Sequence, residues 1–227
     1  MGKHKKNRLP QSQSLLLENF EAKTAAQQIL INLINTKEIV IAVGPAGTGK
    51  TYVTLATALE LLDKGYKKIV LIKSVTTIPG EAIGFIPGGV DEKLEPYIMS
   101  YSWNIDKLCG KDTAKDLISK ELIEVLPLAF IRGLSIDDSI VIIDEAQNID
   151  RHTFKTIITR IGNNSKYVFL GDAEQVDRKR KDDSCLFDVF DIFKSKDYIG
   201  TIEFQDDDCV RNPLIPKILE ELRFYSM

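Results

Sequence analysis

The sequence predicts an α/β fold of three layers, a mainly parallel sheet covered by helices on both faces. Three observations predict it: short apolar runs recur along the chain, helical patterns fill the gaps between them, and each run is apolar throughout rather than at alternate positions. Strands buried on both faces read that way, and strands alternating with helices connect in parallel. With 227 residues, 44% of them hydrophobic and 28% charged, the chain can bury one sizeable core. One domain is expected, from residue 14 to 227.

Taken in order, Met1 to Ser12 carries Lys3, Lys5, Lys6 and Arg8 with little apolar content, so residues 1–13 read as a disordered basic arm, either a solubilising tail or a nucleic-acid contact. From Leu15 to Ile34 apolar residues recur at helical spacing, and Asn35 offers a stop. Glu38 to Val43 is a short apolar strand that runs into glycine, and Thr51 to Leu62, rich in Ala and Leu, is helical. Lys68 to Lys73 is a second buried strand. Val75 to Tyr101, punctuated by Gly80, Gly84, Gly88 and Gly89, reads as an irregular insertion. A helix around Ile105 to Ile118 follows, and further strands are expected at Leu122 to Val125, Ile140 to Ile143, Tyr167 to Leu170 and Ile202 to Phe204.

Bulk properties exclude more than they suggest. A net charge of −3 gives no general attraction to a polyanion, so any nucleic-acid contact must come from local patches. Cys109, Cys185 and Cys209 lie far apart without a CxxC pair, which argues against a zinc knuckle and a disulfide framework and fits a reducing cytoplasm. No apolar run approaches the roughly 18 residues of a membrane helix, and the charged start lacks a signal-peptide core. Lys6 stands where a myristoylation signal needs Ser or Thr. A cytoplasmic protein with no membrane partner is expected.

The chemistry is concentrated in Gly44-Pro45-Ala46-Gly47-Thr48-Gly49-Lys50-Thr51, which satisfies the phosphate-binding loop pattern at every specified position. Glycines let the backbone curl so that successive N–H groups converge on a phosphate, and the helix that follows adds its positive end. Lys50 supplies a point charge to the β and γ phosphates, and the Thr51 hydroxyl is a ligand for Mg2+. The second element is Ser139 to Asn148, where an apolar strand delivers Asp144 and Glu145 at its carboxyl end. That is where ligands sit in open α/β sheets. Asp144 is expected to hold Mg2+, and Glu145 to orient or deprotonate the water that attacks the γ-phosphate of ATP. A third strand end, Val168 to Gln175, offers Gln175 as a γ-phosphate sensor or a water-positioning amide, and otherwise reads as a polar turn. Gln27, upstream of the loop, could pair with the edge of adenine, although Gln28 is adjacent.

Together with Gly84-Phe85-Ile86-Pro87-Gly88, Glu92-Lys93, Pro96-Tyr97, Arg132-Gly133, Asp144-Glu145-Ala146-Gln147-Asn148, Gly171-Asp172 with Gln175, and Val210-Arg211, these residues resemble the PhoH-like proteins, ATPases related in their core to superfamily 1 helicases. The resemblance runs from Asn19 to Phe224. It implies a RecA-like ATPase core, ring-shaped homo-oligomers such as a hexamer, and a link to single-stranded RNA or DNA metabolism. By position, Arg211 looks like the family's arginine near the carboxyl end, a candidate to stabilise charge on the transferring phosphoryl group in cis or in trans; the alternative is an ion pair with Asp206 to Asp208. The compact chain is similar to virus-borne members, for which the compartment would be the host cytoplasm. Two departures from the family pattern stand out. Lys73-Ser74 replaces an expected Arg-Pro, and Arg178-Lys179-Arg180-Lys181 forms a basic run that could grip phosphates or be balanced by Asp182 and Asp183. Three readings share ATP binding: a nucleic-acid-stimulated, helicase-like ATPase, an ATP-dependent adaptor acting on a protein partner, and a ring with a mainly structural nucleotide. A small-molecule kinase is the outside reading.

Overall fold

The structure is a computed structural model that describes residues 17, 20–74, 90–131, 135–172, 184–211, 214, 217, 218 and 221. The expected basic arm, residues 75–89 of the insertion, Arg132-Gly133, Gln175 and the run Arg178 to Lys181 lie outside the described residues.

Helix α1 spans Ala25–Thr36, beginning later than the apolar pattern from Leu15 suggests. Thr24 sets the start: it is extended (φ −131°, ψ 160°), and its side-chain oxygen accepts the Gln27 N–H at 3.2 Å, satisfying one of the donors a helix start leaves unpaired. Leu17 and Phe20 pack on the same core from upstream of the helix, so they extend an apolar pattern without belonging to it. Strand β1 is Ile39–Val43, α2 is Lys50–Asp63 and β2 is Lys68–Lys73. Helix α3 then spans Val90–Cys109 with Pro96 inside it. The reading of an irregular stretch through Tyr101 is therefore corrected from Val90 onward: Tyr101, Ile105 and Leu108, at the i, i+4, i+7 spacing of one helix face, are all buried. Instead of one helix at Ile105 to Ile118 there are two, because Gly110 (φ 95°) and Asp112 (φ 66°) turn left-handed between α3 and α4, Thr113–Ser119. The chain continues as β3 Ile123–Pro127, β4 Ser139–Asp144, α5 Arg151–Ile158, β5 Lys166–Gly171, α6 Leu186–Phe193 and β6 Gly200–Glu203.

The six strands form one sheet in the order β3-β2-β4-β5-β1-β6, each neighbour parallel. Because side chains alternate along a strand, the sheet feeds two cores. Val40, Ala42, Ile69, Leu71, Ile140, Ile142, Val168 and Leu170 meet α1, α2, α3 and α4 on one face. Ile41, Val43, Val70, Ile72, Val141, Ile143, Tyr167 and Phe169 meet α5 and α6 on the other. That three-layer arrangement is why the strands read as unbroken apolar runs. Fully buried side chains such as Leu30 and Ile34 on α1 each contribute about 1.5–3 kcal/mol through burial.

Register decides where the site lies. Val43 is opposite Gly171, and Lys73 is opposite Asp144, so the loops after β1, β4 and β5 open along one edge of the sheet. Strand β5 lies between the strand that leads into the glycine loop and the strand that ends in Asp144. Among the described residues no helix is long and apolar enough to cross a membrane.

Candidate active site

The loop between β1 and α2 is shaped by its glycines. Gly44 has φ +136°, and a Cβ there would run into the carbonyl and side chain of Phe204. Gly49, the residue before α2, has φ +83°, and a Cβ would lie 2.8 Å from Gln27 Nε2. No side chain caps α2 at Gly49, so the first N–H groups of a 14-residue helix face the loop, a ready anion site. Lys50 Nζ donates to Gly44 O at 2.8 Å, Pro45 O at 2.7 Å and Thr48 Oγ1 at 3.2 Å, drawn into the curl of the loop. Burial holds its ammonium below the ordinary value of 10.5, and the charges of Asp172, Asp144 and Glu145 oppose that shift.

Gln27 is buried beside this loop. Its Nε2 donates to Thr48 O at 2.9 Å, and its Oε1 accepts the Lys23 N–H at 2.8 Å. A carboxamide can donate twice and accept twice, so these bonds tie Gln27 to the loop and leave hydrogen-bonding capacity for the edge of a base. Thr24-Ala25-Ala26-Gln27 has the Thr-x-x-Gln form of a capping box, the local signal that separates Gln27 from Gln28.

The strand-end carboxylates meet the loop directly. Thr51 Oγ1 donates to Asp144 Oδ1 at 3.3 Å, and the Glu145 N–H donates to the same oxygen at 3.1 Å. Burial pushes the Asp144 carboxyl up, reinforced by the neighbouring Glu145 charge and opposed by Lys73. Glu145 itself is left-handed (φ 55°, ψ 37°), a conformation that costs a non-glycine residue on the order of 1–3 kcal/mol. Its Oε2 accepts from Gln147 Nε2 at 2.7 Å, and Gln147 Oε1 accepts the Asp172 N–H at 3.1 Å. Gln147, fully buried, thus links the carboxylate after β4 to the backbone after β5.

Lys50, Thr51, Asp144, Glu145, Gln27 and Arg211 all line one cavity of about 630 Å³. Arg211 arrives because the segment after β6 folds over the glycine loop: the Val210 N–H donates to Gly47 O at 3.1 Å. Among the described residues no ion pair joins Arg211 to Asp207 or Asp208. The remaining wall was not legible in sequence. Phe20 meets Tyr52 edge-on with ring centroids 6.2 Å apart, and Lys107 lies 5.4 Å from the Tyr52 ring and 5.3 Å from that of Trp103.

No group of three or more His, Cys, Asp or Glu among the described residues could cage a metal. The oxygen pair Thr51 and Asp144 fits Mg2+, which accepts few protein ligands and completes its shell with water and phosphate oxygens.

A family model described as PhoH-like protein matches residues 19–223. The PhoH-like protein of Bacillus subtilis (strain 168) is 35% identical over 203 residues, covering 89% of this chain and 64% of its own length. The PhoH-like protein of Mycobacterium tuberculosis (strain ATCC 25618 / H37Rv) is 34% identical over 209 residues, 92% of this chain and 59% of its own. Protein PhoH of Escherichia coli (strain K12) is 32% identical over 201 residues, 87% and 56%. The chain therefore spans roughly three fifths of the curated relatives it matches. Among solved structures, the large terminase of a thermophilic bacteriophage superposes with a TM-score of 0.50 at 13% identity, covering 86% of this chain and 49% of that one. At that identity the likeness concerns the fold alone, a parallel sheet between layers of helices.

Proposed function

The chain belongs to the PhoH-like protein family, and from that premise we propose that it binds ATP with Mg2+ and hydrolyses it in the cytoplasm, as a ring-forming homo-oligomer working on single-stranded RNA or DNA. One observation carries the ATPase reading: the Thr51 hydroxyl, from the phosphate loop, donates to Asp144, 93 residues further on, at 3.3 Å. That contact, with Lys50, Thr51 and Asp144 lining one cavity, supports reading them as parts of a single phosphoryl-transfer site.

In this reading the amides of Gly44 to Thr51 cradle the β-phosphate, and Lys50 exchanges its carbonyl partners for phosphate oxygens. Thr51 and Asp144 hold Mg2+, which when bound neutralises charge on the β and γ phosphates. Glu145 orients the attacking water and takes its proton as the bond between the γ-phosphorus and the bridging oxygen breaks. Arg211 stabilises the charge that develops. The Val210 to Gly47 bond favours Arg211 of the same chain for that role. Gln27 reads the adenine edge, and Gln175 senses the γ-phosphate or positions water, as its place after β5 in the sequence suggests. The nucleic-acid coupling rests on the resemblance to superfamily 1 helicase cores.

The test is phosphate release from ATP with and without single-stranded RNA and DNA, beside Lys50→Ala and Glu145→Gln. Turnover stimulated by either polymer and lost in both variants supports the full reading. Turnover indifferent to both polymers removes the nucleic-acid coupling, and its absence removes hydrolysis.

A further inference from the structure

Helix α3 reaches the strand ends at two points one turn apart. Tyr101, 2% exposed, donates its hydroxyl to Asp144 Oδ2 at 3.3 Å. Tyr97, four residues earlier, places its ring 5.7 Å from Lys73 Nζ, within the range of a cation–π contact. Lys73 is the β2 residue opposite Asp144 in the sheet register, and the next residue, Ser74, donates its N–H to Asp144 O at 3.0 Å. The helix thus touches the charged ends of two adjacent strands through two tyrosines on one face.

Burying the Tyr101 hydroxyl calls for a partner, because an unpaired buried hydroxyl is costly. The following residues of that face, Ile105 and Leu108, are hydrocarbon and also buried, so the oxygen adds nothing to packing that phenylalanine would lack. Its effect falls on the carboxylate. Asp144 Oδ1 already accepts from Thr51 Oγ1 and the Glu145 N–H. With Tyr101 on Oδ2, both oxygens are held and the carboxylate plane is set. Partners behind a metal-holding carboxylate act in this way, orienting the ligand before the ion arrives.

We propose that Tyr101 is the positioning residue for the metal-holding carboxylate Asp144, and that α3, gripped by Tyr101 and Tyr97, responds when Mg2+ enters with the nucleotide. The proposal rests on the ATP and Mg2+ reading above. It makes the helix after the insertion the element that senses a loaded site. The same helix carries Trp103, the chain's single tryptophan, 67% exposed, with the Lys107 ammonium 5.3 Å from its ring. A displacement of α3 changes that environment and therefore the indole emission.

The test compares the whole chain with Y101F and Y97F. Affinity for a non-hydrolysable ATP analogue is measured by titration calorimetry in EDTA and in Mg2+, and Trp103 emission is followed as Mg2+ is added to the nucleotide complex. Y101F should bind the analogue in EDTA as the wild-type chain does, lose about tenfold of the affinity that Mg2+ adds, and show a smaller Trp103 response. Y97F, which keeps the ring under Lys73, should match the wild-type chain. An equal loss with and without Mg2+ would mark Tyr101 as a structural residue and overturn the proposal, as would an unchanged gain from Mg2+. A wild-type Trp103 signal that does not respond to Mg2+ overturns the role of α3 without recourse to any variant. If the wild-type chain gains no affinity from Mg2+, the proposal falls together with the metal reading, while binding in EDTA still reports on the phosphate loop by itself.

Discussion

Gln147→Met isolates the buried bridge between the two strand ends. Methionine keeps the length of the side chain but loses the donor to Glu145 Oε2, 2.7 Å away, and the acceptor for the Asp172 N–H, 3.1 Å away. A hydrogen bond to a charged group is worth about 1.5–3 kcal/mol, and stranding a buried N–H costs about 1–3 kcal/mol. Glu145 is only partly buried and can recover some hydration, so the first figure belongs at its low end. The sum is about 3 kcal/mol, or roughly 6–12 °C in Tm for a chain of this size. Function should suffer in a different proportion. The phosphate loop is untouched, so nucleotide affinity should hold. Glu145, left-handed and untethered, loses its aim, and misplacing a reacting group by about 1 Å can cost roughly 10²-fold in rate. Differential scanning calorimetry, nucleotide titration and steady-state phosphate release measure the three quantities. A Tm within about 1 °C of wild type together with unchanged kcat would show that Gln147 does not tie Glu145 to the backbone after β5. Gln147→Glu should be worse than Met, since it sets a second carboxylate against Glu145.

Other perturbations follow from the same geometry. Gly49→Ala should cost about 1–2 kcal/mol for the left-handed backbone alone and weaken nucleotide binding by pushing on Gln27, read by thermal melting and titration. Lys50 is held below 10.5 by burial. Its charge therefore costs stability fully below that depressed value, and the cost fades as pH rises toward 10.5. The melting temperature of Lys50→Met should exceed that of wild type most at neutral pH, with the gap narrowing on the alkaline side; a constant gap would contradict the burial argument. Burial, aided by the Asp150 charge, pushes the Cys185 thiol from an ordinary 9.0 up to about 11. The unfolded thiol ionises first, so its contribution to stability is complete below pH 9 and lost as pH climbs to about 11. Cys185→Ala should flatten that part of the stability curve in alkaline denaturation.

Much of the site was legible because it is local. Gly44 to Thr51 is a contiguous stretch whose glycines and lysine read as a candidate anion site, and Ser139 to Asp144 is a strand with Glu145 just past its end. Burial on both faces also left its mark in unbroken apolar runs. Helix boundaries were less secure. Leu17 and Phe20 pack on the core outside α1, and Pro96 with the preceding glycines hid the start of α3, since local breakers can be overruled by packing of Tyr101, Ile105 and Leu108.

The glycine-rich loop, the adjacent carboxylates Asp144 and Glu145, and the strand-helix alternation could all be read along the chain, because each is encoded by neighbours in sequence. Only the tertiary structure decided the strand order that inserts β5 between β1 and β4, the union of Gln27 with Thr48, the fold-back of Val210 and Arg211 over Gly47, and the contact of Tyr101 with Asp144. Those pairings join residues 21 to 163 positions apart. No periodicity specifies them; they arise when the sheet closes its order and a single core on one of its faces buries α1 and α3, the helices that carry Gln27 and Tyr101.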